Sequence, residues 1–311
     1  MQTFLLTSTL LVTAFITSSS VAEPFSPTNA QLASSVVLFG QQSGGMLQAT
    51  GYIVDRDRGW VVTTWHFWSR VEKPGALQPF HDGSKLVVAP TPYLNRHHDG
   101  KTLRPRLIAQ DEECDLALIE IPHLVKPQAV SFARCTSTDE ELITLGNPPS
   151  RNSMWMIEPG RQLNRTWREW TYTSGQRIAA PMLEIQVDQA LSTGFSGGPV
   201  FTKNGEFAGM VIATPKPEGN TFYAVEADVV RRFLSRAYGK QAEEWAAKKE
   251  WTSAKRLANL AVATDPADPL SYLARSRVLV GQGRSSEAHD DIRAAAVALP
   301  LFVYFTQRNQ P

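Results

Sequence analysis

Three residues whose types can together cleave an acyl bond stand far apart along the 311-residue chain: His66, Asp115 and Ser196. Ser196 lies within Gly194–Phe195–Ser196–Gly197–Gly198–Pro199–Val200. A glycine-rich run can hold a serine on a sharp turn with its hydroxyl exposed, while nearby backbone N–H groups converge on a developing oxyanion. Gly-x-Ser-Gly-Gly is also compatible with a plain turn; its place after apolar Met182–Val187 and before a hairpin favours the chemical reading. Serine needs a base to become a useful nucleophile. Of the six histidines, His81, His97, His98, His123 and His289 have polar, proline-rich or helical surroundings that suit solvated side chains. His66 differs, because it ends the apolar run Trp60–Val61–Val62–Thr63–Thr64–Trp65 just after a candidate turn at Asp57–Arg58–Gly59. Asp115 opens Asp115–Leu116–Ala117–Leu118–Ile119, and a carboxylate buried there requires a partner such as an imidazole N–H. The three occur in the order His, Asp, Ser with gaps of 49 and 81 residues.

The elements that must position them divide the chain by pattern. From Ala33 to about Val225 the apolar runs are short and β-branched, with Gly, Pro and Asn between them. Strands are predicted at Ser35–Phe39, Trp60–Thr64, Lys85–Ala89, Leu116–Ile121, Leu142–Leu145, Leu183–Val187, Phe207–Ala213 and Thr221–Val225, which argues for an all-β sandwich or barrel. Lys203–Asn204–Gly205–Glu206 between two apolar runs predicts a hairpin with a type I′ turn. From Ala227 the period becomes helical, with Val229, Val230, Phe233 and Leu234 on one face.

This helical segment carries a repeat of 34 residues, relating Pro266 to Pro300, Tyr238 to Tyr272, Ala254 to Ala288 and Ala261 to Ala295. A helix–turn–helix unit of that length resembles the tetratricopeptide repeat. The second copy carries Gly281, Gly283 and Ala288; the first has Ala247 and Lys249 where the two glycines stand. Pro300 is expected to end the second helix, and Leu301–Phe305 to cover an open end. An ordinary α-hairpin tail is the plainer alternative.

Gly51–Tyr52–Ile53–Val54, then Val61–Val62–Thr63–Thr64–Trp65–His66, then Asp115–Leu116–Ala117–Leu118, Leu145–Gly146–Asn147–Pro148, Asp188 and Gly194–Pro199 follow one another in an order that resembles the HtrA/DegP branch of trypsin-like serine proteases. Asn204–Gly205–Glu206, Gly209 and Phe222–Tyr223–Ala224–Val225 extend the resemblance, which covers roughly Ala33–Leu234. It implies a mainly β fold of two six-stranded antiparallel barrels, chymotrypsin-like, with the site in the cleft between them. Residues 23–126 would form the barrel carrying His66 and Asp115, 127–236 the barrel carrying Ser196, and 237–311 a small all-α tetratricopeptide-like region. His66 would act as base and then acid, Asp115 would orient it, and Ser196 would be the nucleophile. The N–H groups of Gly194 and Ser196 would form the oxyanion hole, without metal or cofactor, on a polypeptide substrate.

Two departures from that family bear on function. Phe195 stands where the family usually has Asn and digestive relatives have Asp, so activation by a freshly cut N-terminal ammonium is not expected. Where the family carries a PDZ domain, the sequence turns helical, so peptide sensing of the PDZ kind is not carried over. The helical region is a candidate site for a protein partner. Ala190 falls where trypsin-like enzymes shape the P1 pocket, with Val211–Ala213 as the pocket strand, favouring a small or medium apolar P1 residue. Asp188 fits a structural role. The stretch Met154–Tyr172 contains Trp155, Trp167 and Trp170, which suit either a long hairpin packed on the barrel or an aromatic contact loop.

Met1–Ala22 has no charged residue and ends in Ser20–Val21–Ala22 before Glu23, a small-x-small pattern that reads as an export signal, with an uncleaved anchor as the alternative. After cleavage no membrane span is expected, and the protein would be periplasmic or secreted. In that setting Cys114 and Cys135 could form one disulfide; two buried thiols suit the sequence equally. Lys and Arg total 31 against 30 Asp and Glu, so no basic excess exists to neutralise a nucleic-acid backbone. Two further functions fit the same residues. One is a catalytically silent binding protein acting through the helical tail. The other is an esterase using the same three groups, though an α/β-hydrolase would run Ser, Asp, His and is disfavoured.

Overall fold

The structure, a computed structural model, describes residues 35–42, 45–55, 57–71, 73–77, 105–121, 130–134, 136–148, 156–189, 191, 193–213 and 220–308. The expected export segment, the strand at Lys85–Ala89, Cys135, Ala190 and Trp155 lie outside these residues. Strands β1 (Ser35–Gln42), β2 (Gly45–Asp55), β3 (Trp60–Thr64), β4 (Lys73–Leu77), β5 (Arg106–Asp111) and β6 (Leu116–Glu120) form an antiparallel sheet in the order β4-β1-β2-β3-β6-β5. Six more strands close into a barrel: β7 (Glu141–Gly146), β8 (Met156–Thr171), β9 (Arg177–Val187), β10 (Pro199–Thr202), β11 (Phe207–Ala213) and β12 (Thr221–Glu226), in the order β10-β11-β12-β9-β8-β7. Among the described residues, closure belongs to the second set alone. In the first, β4 and β5 stand at opposite ends of the sheet, and the segment joining them is not described.

The apolar runs are continuous because both faces of these strands are covered. In β3, Val61 joins Leu38, Ile53, Phe67, Ile119 and Ile121, whereas its neighbour Val62 joins Tyr52, Leu116 and Leu118 in a larger cluster. Strand β12 alternates likewise, with Phe222 and Ala224 beside Leu142, Leu183, Ile185 and Val200 of the barrel. Its Tyr223 and Val225 belong to the larger cluster, which also takes in Phe201, Phe207, Met210 and Ile212. That cluster runs from sheet to barrel to helices without a break, each buried large apolar side chain contributing roughly 1.5–3 kcal/mol.

The hairpin at Lys203–Glu206 forms where expected, but its turn is not type I′. Only Gly205 has positive φ (78°), and it donates to the Thr202 carbonyl at 2.9 Å, while Thr202 N–H donates to Glu206 at 2.9 Å. This is a turn of ordinary hand followed by a left-handed glycine, so the loop is one residue longer than a two-residue connection. A separate register shift lies one step further along the hairpin, between Val200 and Phe201, where Ala208 is the residue passed over.

A short helix, α1 (Trp65–Trp68), follows β3, so His66 sits in a helical turn just past the strand rather than at its end. The C-terminal helices are α2 (Ala227–Ala247), α3 (Trp251–Thr264), α4 (Pro269–Gly281) and α5 (Ser285–Arg308). The boundary expected at 236/237 falls inside α2, whose Tyr238 stacks on Trp60 of β3 at 4.9 Å and donates to Asp55 at 2.9 Å. Arg58 lies over both rings. Small side chains at Ala242, Ala254, Ala258 and Ala261 are buried and allow the helices to approach closely. Contrary to expectation, Pro300 does not end its helix, because α5 continues to Arg308. A helix-interior proline forfeits one backbone bond, and here the helix runs on past it.

The 34-residue repeat has a backbone counterpart. Lys249 and Gly283, one period apart, have φ of 62° and 75°. Each follows a helix closed by the same bond, Glu250 N–H to Trp245 at 3.0 Å and Arg284 N–H to Leu279 at 2.9 Å. Glycine occupies the second position without strain; lysine in the first does not. Lys249→Gly should therefore stabilise the protein by about 0.5–1 kcal/mol, read from urea unfolding, whereas Gly283→Lys should destabilise it by a similar amount.

Candidate active site

Asp115 precedes β6 with φ of 56°, a left-handed conformation that Asp tolerates better than most residues. The turn leading into it is set by the Asp111 carboxylate, which accepts from Cys114 N–H at 2.9 Å. Cys114 is a free thiol whose ionisation burial pushes up, with the Asp111 charge adding to the effect. The Asp115 side chain is fully buried. A carboxylate there is tolerable only if hydrogen-bonded, and four bonds reach it. Its Oδ1 accepts from His66 N–H at 2.7 Å and from Gln176 Nε2 at 3.3 Å. Its Oδ2 pairs with His66 Nδ1 at 2.6 Å and accepts from the Tyr172 hydroxyl at 3.1 Å.

The helical turn of α1 makes this two-point contact possible, since it aims backbone N–H and ring Nδ1 of one residue at one carboxylate. With Nδ1 engaged as donor, Nε2 is left free to accept a proton. The His66 side chain keeps 14% exposure, which leaves an edge open to a substrate. Of the other histidines only His289 is described; it is exposed on α5, apart from this site. The remaining four lie outside the described residues.

The serine loop is held by two anchors. The first is Thr50 of β2, fully buried, whose N–H donates to Ser196 O at 2.8 Å and whose hydroxyl donates to Gly194 O at 2.7 Å. The same hydroxyl accepts from Asn147 N–H at 3.0 Å and Asn147 Nδ2 at 3.1 Å, so its capacity of one donor and two acceptors is filled. A side chain at Gly197, whose φ is 82°, would overlap the Thr50 carbonyl, which lets the loop lie directly on the sheet that carries His66. The second anchor is Phe195, 2% exposed among Leu142, Leu183, Leu191 and Val200. Its ring fills the space that a side chain at Gly146 would occupy. Apolar packing thus holds the loop where an Asp-type relative would use an ion pair.

Between the anchors, the N–H groups of Gly194 and Ser196 donate to no protein acceptor among the described residues. Gly197 N–H, by contrast, donates to Val211 O at 2.8 Å, and Val211 N–H to Gly198 O at 2.9 Å. Val211 is buried on β11 beside the loop and Ala213 ends that strand; Ala190 is not described. Asp188 is exposed, its carbonyl bonded by Asn220. The sequence reading missed Thr50, Tyr172 and Gln176 as parts of the site. The one visible sign for Thr50 was a polar residue inside an apolar strand, and for Tyr172 its place at the end of the aromatic segment.

A six-stranded sheet bearing the imidazole and carboxylate, set against a closed barrel bearing the serine loop, is the chymotrypsin-like β-barrel architecture. The sequence matches the model of the trypsin-like peptidase domain over residues 49–210, just over half of its length, and the chain belongs to that family. It is 23% identical over 191 residues to serine protease Rv3671c of Mycobacterium tuberculosis, covering 61% of this chain and 42% of that one. It is 25% identical over 201 residues to the periplasmic serine endoprotease DegP of Escherichia coli, covering 63% and 37%. The chain thus spans about two-fifths of the length of these relatives. A crystal structure of the Rv3671c protease in its active form superposes with a TM-score of 0.53 at 20% identity, covering 66% of this chain and 81% of that chain.

Thr50→Val keeps the shape of the side chain but deletes all three hydroxyl bonds, leaving the buried Gly194 carbonyl with the long 3.4 Å bond from Asn147 N–H in place of the 2.7 Å one from the hydroxyl. The expected result is a loss of roughly 2–3 kcal/mol in urea unfolding, with Thr50→Ser close to the parent.

Proposed function

We propose that the chain is an exported serine endopeptidase of the HtrA type, cutting peptide bonds through His66, Asp115 and Ser196. Ser196 Oγ attacks the scissile carbonyl while His66 Nε2 takes its proton, and the oxyanion settles on the N–H groups of Gly194 and Ser196. His66 then returns the proton to the leaving amine as the C–N bond breaks, leaving an acyl-enzyme. Water, deprotonated by the same imidazole, releases the acid and restores the serine. Asp115 holds the imidazole in the tautomer this cycle needs. The observation that carries the reading is the 2.6 Å bond from His66 Nδ1 to a carboxylate buried beyond the reach of solvent. A side chain that costly to bury is otherwise hard to account for beside a glycine-cradled serine.

On this reading Ala190, Val211 and Ala213 line a pocket for a small or medium apolar P1 residue, with no cofactor or metal. Export rests on Met1–Ala22 and agrees with the periplasmic placement in the name of DegP. Among the described residues no helix is long and apolar enough to cross a membrane. The four C-terminal helices, with their 34-residue offset, form a tetratricopeptide-like module that receives a protein partner.

A second reading, a silent scaffold, is favoured by one observation: among the described residues no hydrogen bond within 3.5 Å joins His66 to Ser196. Such bonds often tighten only when substrate is bound. Fluorophosphonate labelling separates the two. Labelling of the parent that is lost in Ser196→Ala and His66→Ala supports an activated serine, and hydrolysis of apolar-P1 peptides then distinguishes a peptidase from an esterase. A folded parent that does not label contradicts the enzyme reading.

A further inference from the structure

Tyr172 and Gln176 lie on either side of the tight turn that joins β8 to β9. Tyr172 N–H donates to Gln176 O and Gly175 N–H to Tyr172 O, at 2.8 and 2.9 Å. Both side chains leave the barrel that carries Ser196 and reach the opposite sheet, ending on the Asp115 carboxylate. The Tyr172 hydroxyl has two acceptors in range, Asp115 Oδ2 at 3.1 Å and Ile212 O at 3.2 Å, and the charged oxygen is the stronger. Its ring stands against the imidazole of His66, with centroids 5.0 Å apart and planes tilted by 50°. The hairpin that aims it is itself fixed, for Trp170 packs edge-on to Tyr172 and stacks on Tyr223 of β12.

We propose that Tyr172 is a positioning residue for the Asp115–His66 pair, delivered across the cleft by the β8–β9 hairpin. The inference rests on the triad reading above. Tyr172 stays protonated and therefore a donor, since burial, with the Asp115 charge adding to it, pushes its ionisation far up. Two effects follow from donation to Oδ2. The carboxylate keeps the rotamer that also meets His66 Nδ1. Part of its negative charge is drawn toward the hydroxyl, so Asp115 stabilises the imidazolium less than a bare carboxylate would. Removing the hydroxyl therefore returns that charge to the side facing His66 and strengthens the carboxylate's hold on the imidazolium. Among the described residues, the other charged or titratable groups beside the pair include Arg70, which faces the Tyr172 ring, Asp111, Glu112, Glu113 and Cys114 in the turn before Asp115, and Arg232, whose charge reaches Cys114. None of these is altered by the substitution.

The test is Tyr172→Phe in the full chain, which keeps the ring and deletes the hydroxyl. The His66 titration, followed by 15N NMR of the imidazole, should move upward by about half a unit to one unit. Fluorophosphonate labelling at pH 7 should slow about tenfold, and the acidic limb of its pH profile should shift with the titration. Gln176→Ala, deleting the longer bond to Oδ1, should give smaller changes in the same direction. An unmoved His66 titration in a folded Tyr172→Phe protein overturns the proposal, even if labelling slows. If the titration moves but neither protein labels, the positioning stands and the protease reading fails instead.

Discussion

One buried carboxylate sets the terms for the rest of the site. Asp115 has no exposed surface, and an ionised oxygen pair in that position must be met by donors or be lost to the fold. The donors come from three places: the backbone of α1, the imidazole on it, and the tip of the β8–β9 hairpin. Separating the barrel from the sheet would therefore take two of the four donors, Tyr172 and Gln176, away from Asp115. Two bonds that cross from the barrel end on the same carboxylate that orients the imidazole, so a shift between the halves would be felt at the proposed catalytic pair.

The serine loop answers to a parallel constraint on the other side of the cleft. A loop that presents free N–H groups must be pinned through its carbonyls and side chains, because any internal acceptor would consume those N–H groups. Thr50 takes the carbonyls of Gly194 and Ser196, and Phe195 takes the side-chain anchor, so the proposed oxyanion donors stay free. Replacing an ion pair by a buried ring removes any dependence on a new chain terminus. On the proposed reading this loop is formed without proteolytic activation, and its stability rests on apolar packing that neither salt nor pH weakens directly.

Much of this was legible in the sequence because its residues are contiguous or periodic. The turn at Asp57–Gly59, the apolar strands around Val61–Val62 and Leu116–Ile119, and the glycines flanking Ser196 each leave a local mark. The fold class followed from those marks together with the family resemblance. What escaped was set by tertiary contacts alone. Thr50 looks like any strand threonine until Gly194 and Asn147 arrive from distances of 144 and 97 residues. Tyr172 read as one more aromatic in a long hairpin, since nothing local says which acceptor its hydroxyl will find. The turn at Asn204–Gly205 and the helix through Pro300 show the reverse error, in which a strong local preference yields to the register and packing around it.

The central claim is that the Asp115 charge, held dry and bonded to Nδ1, is what makes Ser196 reactive. The rate of Ser196 phosphonylation in Asp115→Asn, measured beside urea unfolding, tests it most directly. An amide at this position preserves shape but favours the wrong imidazole tautomer, so the account predicts a fall of at least about a thousandfold at pH 7 in a protein that remains folded. A folded Asp115→Asn protein that labels within a few-fold of the parent would contradict it.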